Sequence, residues 1–240
     1  MILPHQNRPT LKDITCVLFD MDGTLLDSAP GVTSSAAQAL AAVGASIPSQ
    51  DELCRFVGPP MIESFRTVAG LDEPTAQRAL QQYRKAYADN GAEQSSLYAG
   101  IIELLEDLQS AGIPMAVATS KVEDQAVRLA RRFGIERHFV TVCGASDSEG
   151  RATKAEVIAE LLLRLDSYGV DISHPVMVGD RSHDVAGAAD HGISTIFVPW
   201  GYGGAEEASG AAAVAASPSA LVQIFLQNSH RPTRQAGAIL

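Results

Sequence analysis

Aromatic residues are scarce in this chain of 240 residues: Phe, Tyr and Trp make up 5%, with one tryptophan. So few rings offer no obvious platform for stacking nucleobases, although a single well-placed Phe or Tyr would suffice. Positive charge is also in short supply. Eighteen Lys and Arg stand against 28 Asp and Glu, a formal net charge of −10, which opposes nonspecific binding to nucleic acid or to an anionic membrane. The three cysteines, Cys16, Cys54 and Cys143, are odd in number and widely spaced, which fits neither a disulfide framework nor a zinc site. Small buried thiols in a reducing compartment are the expectation. No apolar run reaches the length of a bilayer-crossing helix. The first thirteen residues, polar with two early prolines, lack the apolar centre of a signal peptide. These features predict a cytoplasmic protein that binds neither nucleic acid nor membrane.

What the chain does have is a regular alternation of patterns. Short apolar runs rich in β-branched residues at 14–19, 114–119, 138–143, 175–179 and 194–198 predict about five buried strands. Helical spacing recurs between most of them, as in Ile101, Ile102, Leu104, Leu105 and Leu108, or Val157, Ile158, Leu161, Leu162 and Leu165. Strands alternating with helices predict an α/β fold, a doubly wound parallel sheet with helices on both faces. Ligands of such sheets bind at the carboxyl ends of the strands. The alternation is interrupted between residues 31 and 97, where helical patterns occur at 32–43, 50–56, 61–68 and 74–90 without a convincing strand. The expected organisation is therefore a core from 10–30 and 98–228, a small inserted α-helical domain at 31–97 and a loose tail at 229–240. Turn-forming residues at Ser28-Ala29-Pro30-Gly31 and Ser95-Ser96 mark the hinges.

Chemistry concentrates at four places. The first is Phe19-Asp20-Met21-Asp22-Gly23-Thr24, where an apolar strand ends in two carboxylates. Residues i and i+2 of an extended chain point the same way, so Asp20 and Asp22 can converge on one ligand, and Gly23 permits the sharp departure that follows. A D-x-D-G-T string arises by chance on the order of 10⁻⁵ per position. The second is the strand Met115-Ala116-Val117-Ala118 ending in Thr119, Ser120 and Lys121. The third is Lys154, at a predicted helix start where the macrodipole disfavours a cation. The fourth is Val178-Gly179-Asp180-Arg181-Ser182-His183-Asp184. Asp180 and Asp184, at i and i+4, share one helix face, and two carboxylates there would repel unless a cation held them. Capping of turns by Asp20 and Asp22, a helix cap at Thr119 and a plain surface position for Lys154 are the competing readings of these residues alone.

In order and placement these four motifs resemble those of the haloacid dehalogenase (HAD) superfamily, with a G-D-x-x-x-D match at Asp180 and Asp184. The match looks nearest to its phosphoglycolate-phosphatase-like group, judged by Phe56-Val57-Gly58-Pro59-Pro60 and Trp200-Gly201-Tyr202-Gly203. The resemblance implies a Rossmann-like core, a helical cap and hydrolysis of a small phosphate monoester through an aspartyl-phosphate. Asp20 would be the nucleophile and Asp22 the general acid and base. Thr119 would bond the phosphoryl group, and Lys154 would bridge nucleophile and phosphate, with Lys121 the second candidate for that role. Mg²⁺ would be held by Asp20, the backbone carbonyl of Asp22, and Asp180, with Asp184 in support. Gly23, Ser120 and Lys121 are expected to contact substrate. His183 is expected at the helix surface or just behind the site, and Arg55 and Arg66 are ambiguous. A phosphomutase, a phosphotransferase acting on a protein hydroxyl and a noncatalytic regulatory protein are the alternatives. The identity of the ester stays open, as does the choice between monomer and homodimer.

Overall fold

A computed structural model describes residues 11–146 and 148–228, so the expected tail at 229–240 and most of the N-terminal segment lie outside the described residues. The chain enters through β1 (Cys16–Phe19) and β2 (Leu26–Asp27). It then runs through α1 (Ala29–Ala42), α2 (Gln50–Cys54), α3 (Met61–Thr67) and α4 (Glu73–Ala86), and returns by β3 (Ser96–Leu97). There follow α5 (Ile101–Ser110), β4 (Met115–Val122), α6 (Glu123–Arg132), β5 (Val142–Ala145) and α7 (Lys154–Ser167). The last elements are β6 (Pro175–Gly179), α8 (Ser182–Ala189), β7 (Ser194–Phe197), β8 (Ala213–Val214) and α9 (Pro218–Asn228). No described helix is long and apolar enough to cross a membrane.

Six strands form one parallel sheet in the order β5-β4-β1-β6-β7-β8. This is the expected doubly wound α/β core. Side chains alternate across it, as the pleat requires. Val17, Phe19, Met115, Val117, Val176 and Val178 face one apolar cluster with α5, α6 and α9. Cys16, Leu18, Ala116, Ala118, Cys143 and Met177 face a second cluster with α7 and α8. The chain leaves β1 first toward β4 and β5 and later toward β6, β7 and β8. The order therefore reverses at β1, where ligands of such sheets bind. Asp20, Thr119 and Asp180 all lie on this one edge, at or beside the carboxyl ends of three adjacent strands.

Three strand expectations need correction. The run at 138–143 becomes a single 3₁₀ turn, Glu136–His138, with the strand beginning only at Val142. The turn buries His138, whose Nδ1 lies 2.7 Å from Gln109 Oε1, so an apolar-looking stretch is divided between a turn and a strand. β4 continues past Thr119 to Val122 through a register shift between Ala118 and Val122, which leaves Thr119, Ser120 and Lys121 outside the regular ladder. The two-residue strands β2, β3 and β8 are too short to show any periodicity.

The helices at 29–86 and the π turn Tyr87–Gly91 pack around a cluster of their own, which includes Val32, Leu40, Phe56, Phe65, Tyr83 and Tyr87. Phe56 meets Phe65 edge-on at 5.5 Å and Tyr83 stacks on Tyr87 at 5.6 Å, both favourable ring geometries. α1 and the π turn touch backbone to backbone. A Cβ on Gly31 would lie 2.0 Å from the Gly91 carbonyl oxygen, so only glycine fits there. The two crossings into the sheet domain are tied together by the antiparallel pairs Leu26 with Leu97 and Asp27 with Ser96.

Candidate active site

At the end of β1, Asp20 is buried, and its backbone N–H donates to the Val178 carbonyl at 2.9 Å. β1 is thereby fastened to β6 at the point where both chains turn into the site. The Lys154 ammonium lies 2.8 Å from Asp20 Oδ1 and 2.8 Å from Asp184 Oδ1, and it donates to the Ala118 carbonyl at 2.9 Å. The unfavourable position of this lysine at a helix start thus has its explanation: the carboxylates of Asp20 and Asp184 outweigh the dipole. The Thr153–Glu156 capping box, with both of its bonds formed, fixes the first turn of α7. The lysine stem packs on Gly187, where a Cβ would lie 2.9 Å away.

Lys121, the second candidate for the bridging role, sits elsewhere. Its ammonium is 2.8 Å from Asp22 Oδ2 and donates to the Tyr87 hydroxyl at 3.0 Å. It ties the first motif to the π turn of the helical insertion. The other oxygen of Asp22, Oδ1, is buried and has no partner, and the Ser120 hydroxyl is likewise buried and unpartnered. Thr119 is buried and accepts from the Lys121 backbone N–H at 3.2 Å.

Asp180 is enclosed by glycines. Cβ atoms on Gly23 or Gly201 would come within 2.2 and 2.3 Å of its Oδ2, and Gly23 has φ +85. Its carboxylate accepts from the Thr24 hydroxyl at 3.2 Å and from the Tyr202 backbone N–H at 2.8 Å. Asp184 caps α8 by accepting from the Arg181 N–H at 3.0 Å. His183 lies closer in than expected. Ligand atoms of Asp20, His183 and Asp184 all fall within 4.8 Å of one another. Burial holds the His183 imidazole down to about 4, so it is neutral at ordinary pH and able to donate a lone pair.

The electrostatics show a shortage of positive charge. Burial lifts the Asp20 carboxyl to about 6 in spite of Lys154. It lifts Asp180 well above the usual carboxylate range, with Asp184 and Asp20 adding to the effect. Asp184 alone ends below its ordinary value, because Lys154 and then His183 reverse the cost of desolvation. Four buried carboxylates, Asp20, Asp22, Asp180 and Asp184, are faced by two buried ammoniums, Lys121 and Lys154. One divalent cation would cancel the difference, and carboxylate oxygens suit a hard ion such as Mg²⁺. The donor set therefore fits that metal.

Three residues given no role from the sequence complete the geometry. The Tyr202 hydroxyl accepts from the backbone N–H of Ser28 at 2.7 Å and of Ala29 at 3.0 Å, and donates to Asp27 at 2.8 Å. The segment carrying Asp180's cradle is thereby bonded to the start of the helical insertion. Tyr87 holds Lys121. Arg181 donates to the Val57 carbonyl and to Glu207 Oε2, the latter at 2.9 Å. Arg66 is engaged by Glu73 at 2.6 Å, and Arg55 is exposed.

Comparison with known proteins adds the family. The sequence profile described as haloacid dehalogenase-like hydrolase matches residues 17–198. The chain is 49% identical over 190 residues, 79% of its length, to tyrosine-protein kinase PtkA of Mycobacterium tuberculosis, and the match spans only 64% of that protein. It is 39% identical over 191 residues to a 5′-nucleotidase of Pseudomonas aeruginosa, covering 80% of this chain and 85% of that one. Among solved structures, a predicted phosphatase from Clostridium acetobutylicum superposes with a TM-score of 0.84 at 32% identity, over 90% of this chain and 100% of the other. The PtkA structure superposes at 0.76 with 44% identity, over 88% and 97%.

Proposed function

The chain belongs to the haloacid dehalogenase-like hydrolase family, and on that premise we propose that it is a Mg²⁺-dependent phosphatase acting on a small phosphate monoester. The observation that carries the reading is the buried Lys154 ammonium, 2.8 Å from both Asp20 and Asp184 at the carboxyl edge of the sheet. It keeps a carboxylate nucleophile beside a second acid without mutual repulsion.

In the first displacement an Asp20 oxygen attacks phosphorus, the bond from Asp20 oxygen to phosphorus forms, and the bond to the leaving oxygen breaks. A proton on Asp22 passes to that leaving oxygen. Asp22 Oδ1, buried and unpartnered while Oδ2 is paired to Lys121, is the atom suited to carry it. In the second displacement Asp22 takes a proton from water, the water oxygen bonds to phosphorus, and the Asp20 carboxylate leaves. Thr119 and the Ser120 hydroxyl donate to the phosphoryl oxygens, and Gly23 keeps the backbone close. Mg²⁺, held by Asp20, the Asp22 carbonyl, Asp180 and Asp184, would neutralise phosphoryl charge during both steps. The helices at 31–97 act as a cap domain that excludes bulk water. Three free cysteines in a chain of this family agree with a reducing, cytoplasmic setting.

A second reading has one specific support, the 49% identity to a protein named as a tyrosine kinase. There the phosphoryl group on Asp20 would pass to a protein hydroxyl instead of water. Release of inorganic phosphate from a panel of phosphomonoesters, with and without Mg²⁺, tests both readings. The phosphatase reading expects metal-dependent turnover that Asp20→Asn abolishes. Phosphate transferred to a tyrosine peptide without release would favour the kinase reading, and turnover surviving in Asp20→Asn would overturn both.

A further inference from the structure

The ladder between β4 and β5 is interrupted beside the site. It pairs Val117 with Val142 and Ala118 with Cys143, and resumes only at Val122 with Ala145. Gly144 falls in the gap, next to the irregular segment that carries Thr119, Ser120 and Lys121. The two backbones stay close there: a Cβ on Gly144 would lie 2.5 Å from the Lys121 carbonyl oxygen and 2.7 Å from Glu123 Cα.

Side chains take the place of the missing rungs. The Gly144 N–H donates to Glu123 Oε2 at 3.1 Å, and the Gly144 carbonyl accepts from Arg151 Nε at 3.2 Å. The same guanidinium donates through Nη2 to Glu123 Oε2 at 2.8 Å and through Nη1 to Glu149. Arg151 is 6% exposed, a buried cation that no step of the proposed reaction uses. Burying a guanidinium is costly unless its donors are engaged, and here all three nitrogens are.

Arg151 also reaches the third motif. Its backbone exchanges both hydrogen bonds with Ser146, each at 2.9 Å, which closes the loop after β5 and delivers the chain to Thr153 and Lys154. Glu123 in turn follows closely on Lys121. The pair therefore joins the segment bearing Thr119, Ser120 and Lys121 to the segment bearing Lys154, through Gly144, at the level of the sheet where the ladder fails.

We propose that Glu123 and Arg151 are positioning residues for phosphoryl transfer: their ion pair replaces the interrupted ladder and sets the separation between the phosphoryl-binding end of β4 and the Lys154 ammonium. The inference rests on the phosphatase reading, in which Thr119 and Ser120 hold the phosphoryl group that Asp20, paired with Lys154, attacks. A misplacement of about 1 Å costs on the order of 10²-fold in rate. The loss falls on kcat, because these groups act on the phosphoryl group in transit.

Arg164 supplies an internal control. It donates to the other oxygen of Glu123, Oε1, at 3.1 Å, to Glu160 at 2.7 Å and to the Val142 carbonyl at 3.5 Å, so it shares the charge network from further along α7. The test measures kcat, KM and the unfolding midpoint of Arg151→Met, Arg151→Lys and Arg164→Met in saturating Mg²⁺, with whichever phosphomonoester the wild type turns over best. Calorimetric titration of each Mg²⁺-loaded protein with orthovanadate runs alongside. Both methionine variants should lower the midpoint. Arg151→Met should lose at least about tenfold in kcat, with KM within about threefold of wild type, and should bind orthovanadate at least about tenfold more weakly. Arg164→Met should stay within about twofold of wild type in kcat and in orthovanadate affinity. Arg151→Lys keeps a charge beside Glu123 but lacks the fork that also holds Gly144, and should fall between. If Arg151→Met fails to fold, Arg151→Lys against Arg164→Lys carries the decision, with kcat lowered in the first alone. Equal kcat losses at the two arginines, or a lower midpoint with kcat kept in Arg151→Met, would make the pair purely structural and overturn the inference while the phosphatase reading stands. A wild type that turns over no ester overturns the phosphatase reading instead. Orthovanadate then decides the inference by itself, and equal binding by wild type and Arg151→Met, or none by wild type, sinks it.

Discussion

Replacing Lys154 by Met, a side chain of similar length without charge, removes one ammonium from three buried partners. These are Asp20 at 2.8 Å, Asp184 at 2.8 Å and the Ala118 carbonyl at 2.9 Å. Taking one partner from a buried ion pair costs about 3–5 kcal/mol, because the remaining carboxylates can neither reach water nor find another cation. For a chain of this size each kcal/mol shifts the unfolding midpoint by roughly 2–4 °C, so in EDTA at pH 8 the variant should melt about 6–20 °C below wild type. The pH dependence follows from which state binds protons. In wild type, Lys154 holds Asp184 below its ordinary pKa, so that part of the stability is present above the unfolded carboxylate pKa and is lost only as pH falls. Without Lys154, Asp184 rises above its unfolded value and Asp20, which burial already lifts to about 6, rises further, so the folded variant binds more protons than its unfolded chain and its stability falls more steeply than wild type's as pH rises. The gap between the two proteins should therefore be narrow at pH 5 and widen toward pH 8. Thermal unfolding by circular dichroism at both pH values, in EDTA and then in saturating Mg²⁺, measures it. A variant that melts within about 2 °C of wild type at pH 8, or a gap that does not change with pH, would refute the reasoning.

Further outcomes follow from the same geometry. Tyr202→Phe keeps the backbone N–H on Asp180 but removes the hydroxyl from Ser28, Ala29 and Asp27. A loss of about 1–3 kcal/mol should lower the unfolding midpoint, and KM should rise more than kcat falls in steady-state assays. Gly203→Ala would place a Cβ 1.9 Å from the Asp180 carbonyl oxygen. The segment must move, and phosphatase turnover should drop about 10²-fold with an unchanged far-ultraviolet spectrum. Burial pushes the Cys16 and Cys143 thiols up to about 12, so iodoacetamide at pH 8 should label only Cys54 in the native protein and all three after unfolding, as counted by mass spectrometry. The same two thiols make stability fall as pH rises above about 8.5, where the unfolded thiols ionise and the folded ones do not.

How much of this was readable in advance varies with the range of the interaction concerned. The alternating apolar runs predict the layered α/β core, because the pleat and the helical repeat write themselves into the order of side chains. Val17 and Phe19 facing one cluster while Cys16 and Leu18 face the other is that pattern in space. The four motifs likewise mark Asp20, Asp22, Thr119, Lys154, Asp180 and Asp184, since each sits where a strand ends or a helix begins and such ends carry local signatures. The run at 138–143 misled because composition there does not distinguish a buried turn from a strand, and the contact of the buried His138 with Gln109, 29 positions away, leaves no local trace.

What the sequence could not contain is which charge meets which. Lys121 and Lys154 are equivalent as lysines near strand or helix ends. Only the register shift in β4 and the packing of α7 on Gly187 send one to Asp22 and Tyr87 and the other to Asp20 and Asp184. The contacts of Tyr202 and Tyr87 gave no signal, because their bonds span 175 and 34 positions of the chain. Local patterns settle which elements form, and they do so through the two or four nearest neighbours of each residue. The pairing of buried charges exists only once those elements have closed upon one another and excluded water.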